Sequence, residues 1–242
     1  MNTQLIAHRG ASRDAPENTR AAFLRAVEVG STMIELDVQL TADDRLVVIH
    51  DQRIDRTANS TGAVRDLTVA ELRQFSYDSS LPGVYPSEDV GILELREAVD
   101  FMVEHNLDLN VETKEHGAAA ERVNDLVAAT LRDAGWSERT LVSSINHAAS
   151  AAMKAQHPEI RTAIAFVERF VDLTDYARSC GADVLHPHYG LVDAEFVERA
   201  RDGGFGINAW TVDEPDDVRR LIALGIDGVM TNRPDLLSDG VA

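Results

Sequence analysis

The chain reads as an α/β protein: a closed (β/α)8 TIM barrel with a β-hairpin after the second strand and a small insertion near residues 51–91. Three observations predict it. Short β-branched runs alternate with helical segments over most of the length, which implies parallel strands joined by crossover helices. Nine strand candidates appear, but Leu46–Ile49 follows its predecessor too closely for a crossover, and eight remain. No Gly-x-Gly-x-x-Gly follows the first strand, so an open doubly wound sheet has no support. At 242 residues the chain is long enough for one large core, and residues 1–242 are expected to form a single domain.

Taken in order, Gln4–Ala7 is a short buried strand ending at His8-Arg9-Gly10. Asn18 is placed to cap a helix over Thr19–Val29, and Glu17 and Asn18 shape the loop before it. The hairpin follows: Met33–Leu40, a polar turn, then Leu46–Ile49. A turn centred between Asp43 and Asp44 sets Asp37 directly opposite His50, with Glu35 on the same face because strand side chains alternate. Asp51 is expected on the opposite face. The return arm is apolar on both faces, so one residue inserted in the turn is expected to slip it and turn His50 away.

Thr68 and Glu71 form a capping box for a short helix, Val69–Phe75. Ser76–Gly91 is rich in Ser, Pro and Gly and reads as a loop, and Leu93–His105 is an amphipathic helix. Strands are then predicted at Asp108–Glu112, Thr140–Ser144, Arg161–Phe166, Asp183–His186, Gly206–Thr211 and Gly228–Thr231. Helices lie between them near Ala118–Ala134, His147–Gln156, Val171–Cys180, Ala194–Asp202 and Pro215–Leu224, with a last short one at Pro234–Leu237.

A net charge of −18 argues against nucleic acid or an anionic membrane surface held by bulk charge. An anionic small molecule remains compatible, because a metal and a few cations can invert the field locally. Cys180 is the sole cysteine, so there is no intrachain disulfide and no cysteine zinc cluster. Neither a signal peptide nor a membrane-spanning run is apparent, and a cytoplasmic location is the expectation. Oligomeric state leaves no mark in the sequence.

Active sites of α/β barrels form at the C-terminal strand ends. Those ends carry His8-Arg9, Glu35 and Asp37, Glu112 with Lys114, Ser143-Ser144, His186, Trp210 and Thr231-Asn232. Glu35, Asp37 and Glu112 offer oxygen ligands only, and converging carboxylates repel one another without a cation. They are the expected metal ligands, for Mg²⁺ or Ca²⁺, with Mn²⁺ also suited; the plainer alternative is a salt-bridged cluster with Arg9 and Lys114. His8 and His50 are the expected acid–base residues, since imidazole titrates near neutrality. Arg9 and Lys114 would supply positive charge to a phosphoryl group, Trp210 an apolar wall, and His186 joins this substrate side. No Gly-x-Ser-x-Gly elbow surrounds Ser143 or Ser144, and His105, His116, His147, His157 and His188 are given no role.

Several of these pieces together resemble the glycerophosphodiester phosphodiesterase family. They are His8-Arg9-Gly10-Ala11-Ser12, Pro16-Glu17-Asn18-Thr19, Glu35-Leu36-Asp37-Val38, His50-Asp51, Arg56-Thr57 and Val111-Glu112-Thr113-Lys114. Ala209-Trp210-Thr211-Val212 and Asp227–Asn232 look like its C-terminal motifs. The resemblance implies metal-dependent hydrolysis of glycerophosphodiesters, small molecules, to an alcohol and glycerol 3-phosphate. By motif, His8 and His50 correspond to the catalytic pair, Glu35, Asp37 and Glu112 to the metal ligands, and Arg9 and Lys114 to phosphate contacts. A lysophospholipase D-like enzyme and a non-catalytic phosphodiester-binding barrel are the alternatives. The first would need an apolar mouth, and Ser76–Asp89 and His188–Val192 contain few large apolar residues.

Overall fold

Inward and outward side chains alternate along each strand, and that alternation builds the barrel in the computed structural model, which describes residues 3–115 and 117–237. His116 lies outside the described residues. The strands are β1 (Gln4–His8), β2 (Met33–Leu40), β3 (Leu46–Val48), β4 (Asp108–Thr113), β5 (Thr140–Ser144), β6 (Arg161–Phe166), β7 (Val184–Pro187), β8 (Gly206–Ala209) and β9 (Gly228–Thr231). Neighbours run β1-β2-β4-β5-β6-β7-β8-β9, all parallel, and β9 pairs back onto β1 to close the ring of eight. As predicted, β3 stays outside the ring, antiparallel to the last residues of β2.

The helices are α1 (Arg20–Glu28), α2 (Val69–Leu72), α3 (Leu95–His105), α4 (Ala118–Ala134), α5 (His147–Gln156), α6 (Leu173–Ser179), α7 (Ala194–Asp202) and α8 (Pro215–Ala223). Outward residues of β2 and β4, among them Ile34, Leu36, Leu109 and Val111, pack against Phe101 and Met102 of α3 and Val123 and Val127 of α4. On the other side Ile164, Leu185, Ile207 and Val229 meet Leu173, Phe196, Val218 and Leu221. Removing a fully buried side chain here, as in Leu36→Ala, costs about 2–5 kcal/mol. Inside the ring Ile6, Met33, Leu141, Ala163, Val184 and Met230 form an apolar plug. The insertion has its own small core of Val47, Ile49, Ile54, Val64, Leu72, Tyr77 and Ile92. Among the described residues no helix is long and apolar enough to cross a membrane.

Two local expectations need correction. The hairpin register is one residue off: Leu40 pairs with Leu46, and Asp37 accepts from the Ile49 N–H at 3.0 Å, so its partner is Ile49 and not His50. The cause is the turn, a three-residue loop closed by Thr41 N–H donating to Arg45 O (2.9 Å), with Asp44 left-handed at φ 59°. Thr41 Oγ1 also accepts from Arg45 N–H at 3.1 Å, which fixes that odd-length loop. The first helix is capped by Thr19, whose hydroxyl accepts from Ala22 N–H, and not by Asn18.

Candidate active site

β1 delivers the first functional residues through a sharp turn. Arg9 is left-handed (φ 58°), and Gly10 follows at φ 80°. A Cβ on Gly10 would meet the Ala22 backbone at 2.7 Å, so only glycine lets the chain turn this close to α1. The turn aims the Arg9 N–H at Glu35, donating to its backbone oxygen (2.9 Å) and to its Oε2 (3.0 Å).

Past the strand ends lies a cavity of about 570 Å³, lined by His8, Arg9, His50, Glu112, Lys114, His186 and Trp210 among others. Oxygens of Glu35, Asp37 and Glu112 come within 4.8 Å of one another at its edge. The expected metal ligands, both histidines, Arg9, Lys114, His186 and Trp210 therefore converge, while Ser143 and Ser144 do not line the cavity. Arg9 and Lys114 are interleaved with the acids: Arg9 Nε is 3.2 Å from Asp37 Oδ2, and Lys114 Nζ is 2.9 Å from Asp37 Oδ1 and bonded to Glu112.

Whether this cluster suits a cation can be judged from its charge. Three carboxylates face two cations, and Glu35, only 1 % exposed, keeps Oε1 buried with no hydrogen-bond partner. Burial first, then Asp37 and Glu112, pushes the Glu35 carboxyl well above the usual range. Burial likewise raises Glu112. For Asp37 burial acts upward too, but Lys114 and Arg9 outweigh it and hold the group below the ordinary value. An excess of buried negative charge with an orphaned oxygen is what a hard divalent cation would satisfy, so the residues fit one.

The two histidines sit in different surroundings. Asn232 Nδ2 donates to Asp213 Oδ2 (2.7 Å), which turns Asn232 Oδ1 toward His8 Nδ1 at 2.7 Å. His8 Nδ1 therefore carries the proton, and Nε2, 3.9 Å from Glu35 Oε2, carries the lone pair. Burial, then Arg9, lowers the His8 pKa from 6.5 to about 4. His50 reaches the cavity only because the chain leaves the ladder after Ile49, with Gln39 Nε2 donating to His50 O (2.8 Å). Its Nδ1 lies 2.6 Å from Asp51 Oδ1, so Asp51 is not on the far face as expected.

Several residues here were missed in the sequence. Asn18, itself left-handed, donates from Nδ2 to Asp37 Oδ2 (3.0 Å) and so holds a carboxylate of the cluster. Glu17 accepts from Arg9 Nη1 (2.9 Å) and from Arg56. Their place inside a Pro-Glu-Asn-Thr motif was the available signal. His186 is buried at the cavity floor and lowered by burial to about 3, with Trp210 Nε1 donating to its backbone oxygen. Ser143 and Ser144 bond to Asn110 and to the Thr113 backbone, which is structural work. His105, His147, His157 and His188 do not line the cavity.

Comparison with known proteins agrees with this geometry. The model of the glycerophosphoryl diester phosphodiesterase family matches residues 8–236. A glycerophosphodiester phosphodiesterase of Caldanaerobacter subterraneus subsp. tengcongensis is 34% identical over 237 residues, covering 98% of this chain and 97% of that protein. A phosphodiesterase of Oleispira antarctica, solved with the product sn-glycerol-3-phosphate, superposes with a TM-score of 0.92 at 27% identity, over 99% of this chain and 97% of that one. A structure from Silicibacter pomeroyi, at 24% identity and a TM-score of 0.89 over 99% of this chain and 94% of that one, shares the fold. With the motif residues gathered at one mouth of a closed barrel and a family match spanning nearly its whole length, the chain belongs to the glycerophosphoryl diester phosphodiesterase family.

Proposed function

We propose that the protein hydrolyses glycerophosphodiesters to an alcohol and glycerol 3-phosphate, with a divalent metal ion, Mg²⁺ or Ca²⁺, held by Glu35, Asp37 and Glu112. The observation that carries this is one cavity bounded by the acidic cluster, two cations and two histidines. Family membership and the product found in the Oleispira antarctica relative support it. The ion, when bound, would supply Lewis-acid charge to the phosphodiester oxygens. Arg9 and Lys114 bind the phosphoryl group and offset its charge during attack. His8, neutral with its lone pair on Nε2, takes the proton from the attacking hydroxyl, and His50, as the imidazolium with Asp51 accepting from Nδ1, gives its Nε2 proton to the departing alkoxide. Trp210 and Met230 wall the organic part of the substrate.

The test is phosphodiesterase assay on glycerophosphocholine, glycerophosphoethanolamine and a lysolipid, before and after EDTA. Chelation should abolish turnover and Mg²⁺ or Ca²⁺ should restore it; full activity of the metal-free protein would defeat the metal assignment. His8→Ala or His50→Ala should lower kcat by roughly 10²–10⁴-fold with metal affinity nearly unchanged. Near-normal turnover of either variant would contradict the histidine roles. The lysolipid arm is included because Ile145, 51 % exposed, lines the cavity and gives its mouth an apolar side.

A further inference from the structure

The insertion contributes one residue that touches both halves of the site through other side chains. Arg56 Nε donates to Asp51 Oδ2 (2.7 Å) and Nη2 to Asp51 Oδ1 (3.2 Å). On its other edge Nη1 donates to Glu17 Oε2 (2.6 Å) and Nη2 to Glu17 Oε1 (2.8 Å). One guanidinium thus forks onto two carboxylates. Asp51 continues to His50 Nδ1 at 2.6 Å, and Glu17 continues to Arg9 Nη1 at 2.9 Å. Arg9 in turn reaches Asp37 Oδ2 at 3.2 Å. Charges alternate along the whole path from the hairpin imidazole to the acidic cluster.

We infer that Arg56 is a positioning residue for the reaction: it clamps Asp51, which fixes the tautomer of His50, and Glu17, which aims Arg9 at the phosphoryl group. The inference rests on the proposed diester hydrolysis for its kinetic half only. A carboxylate facing Nδ1 accepts its proton, which leaves Nε2 as the nitrogen that serves the cavity. The contact with Arg56, and then His50, holds Asp51 down to about 2, so it stays an acceptor through the working range. Lysine has no fork and would serve only one carboxylate at a time. Arg56 is half exposed, so its pairs add little to stability and its loss should leave the fold intact.

The experiment has two readouts on the Mg²⁺-loaded protein. Long-range proton–nitrogen NMR of ¹⁵N-histidine, with the His50 signal identified by its loss in His50→Gln, reports the tautomer. In the neutral ring the parent should show the Nδ1–H form alone, and Asp51→Ala or Arg56→Gln should show a mixture. In glycerophosphocholine turnover, Asp51→Ala should lower kcat by roughly 10- to 100-fold with KM little changed, while Glu17→Gln should raise KM. Arg56→Gln should do both, with Tm moved by no more than about 3 °C. Arg53→Gln, nearby and ion-paired with Asp55, should match the parent throughout. Arg56→Gln with a single parent-like tautomer and parent-like constants would overturn the inference. If the parent turned over no diester, the functional reading would fall, and the tautomer spectra alone would decide whether Arg56 positions His50.

Discussion

His186 shows what a single buried ionisable side chain does to stability. It is 2 % exposed, and burial lowers its pKa from 6.5 to about 3. The folded chain therefore keeps it neutral while the unfolded chain protonates it near 6.5. Its contribution is complete above that pH and drains away as pH falls toward 3. His186→Asn should lose less stability than the parent between pH 7 and pH 5, the difference bounded by about 1.4 kcal/mol per pH unit. Urea midpoints at the two pH values would show it, and equal losses would refute it. Residues of this kind were legible in the sequence because their type announces chemistry: His8, Glu112 and His186 lie at or next to a strand end, and Glu35 and Asp37 are level with His8 and Glu112 on the neighbouring strands. Asn18, Asp51, Arg56 and Asn232 were not legible as supports. Their work depends on loop conformations, such as the left-handed turn at Asn18, that no periodicity reveals.

Among the elements, the hairpin departs most from its sequence pattern. Alternation identified β2 and β3 and their antiparallel sense, but the register depended on the turn, and Asp44 adopts a conformation the pattern could not announce. The structure also changes what an altered turn should do. β3 is gripped on its second edge, where Val48 N–H donates to Leu93 O at 2.8 Å and Val47 bridges Glu94. Slipping the arm would break those contacts and move Val47 and Ile49 out of the insertion core. A glycine inserted between Asp43 and Asp44 should therefore bulge within the turn and leave His50 in place, retaining most of the kcat. A loss as large as that of His50→Ala would show that the arm slips after all.

Over the whole molecule, the −18 net charge opposes the approach of anions even though the site itself holds cations. Salt shortens the reach of that repulsion, to about 10 Å at 0.1 M. Raising ionic strength at fixed free Mg²⁺ should increase kcat/KM for glycerophosphoglycerol, a net anion, more than for zwitterionic glycerophosphocholine. Identical salt responses would remove the long-range field from the account. The barrel was legible at this scale because eight strands alternate with helices. A closed ring also implied that the first strand meets the last, but the side-chain bond that spans this seam was not legible. β1 lies between β2 and β9, and His8 is bonded to Asn232 across 224 positions of sequence. During synthesis on the ribosome, Glu35, Asp37 and Glu112 all emerge while His8 still lacks its anchor and β1 has a bare edge. The three carboxylates come early and the imidazole is fastened late, so the residues of the acidic cluster are all made long before the histidine beside them can be held.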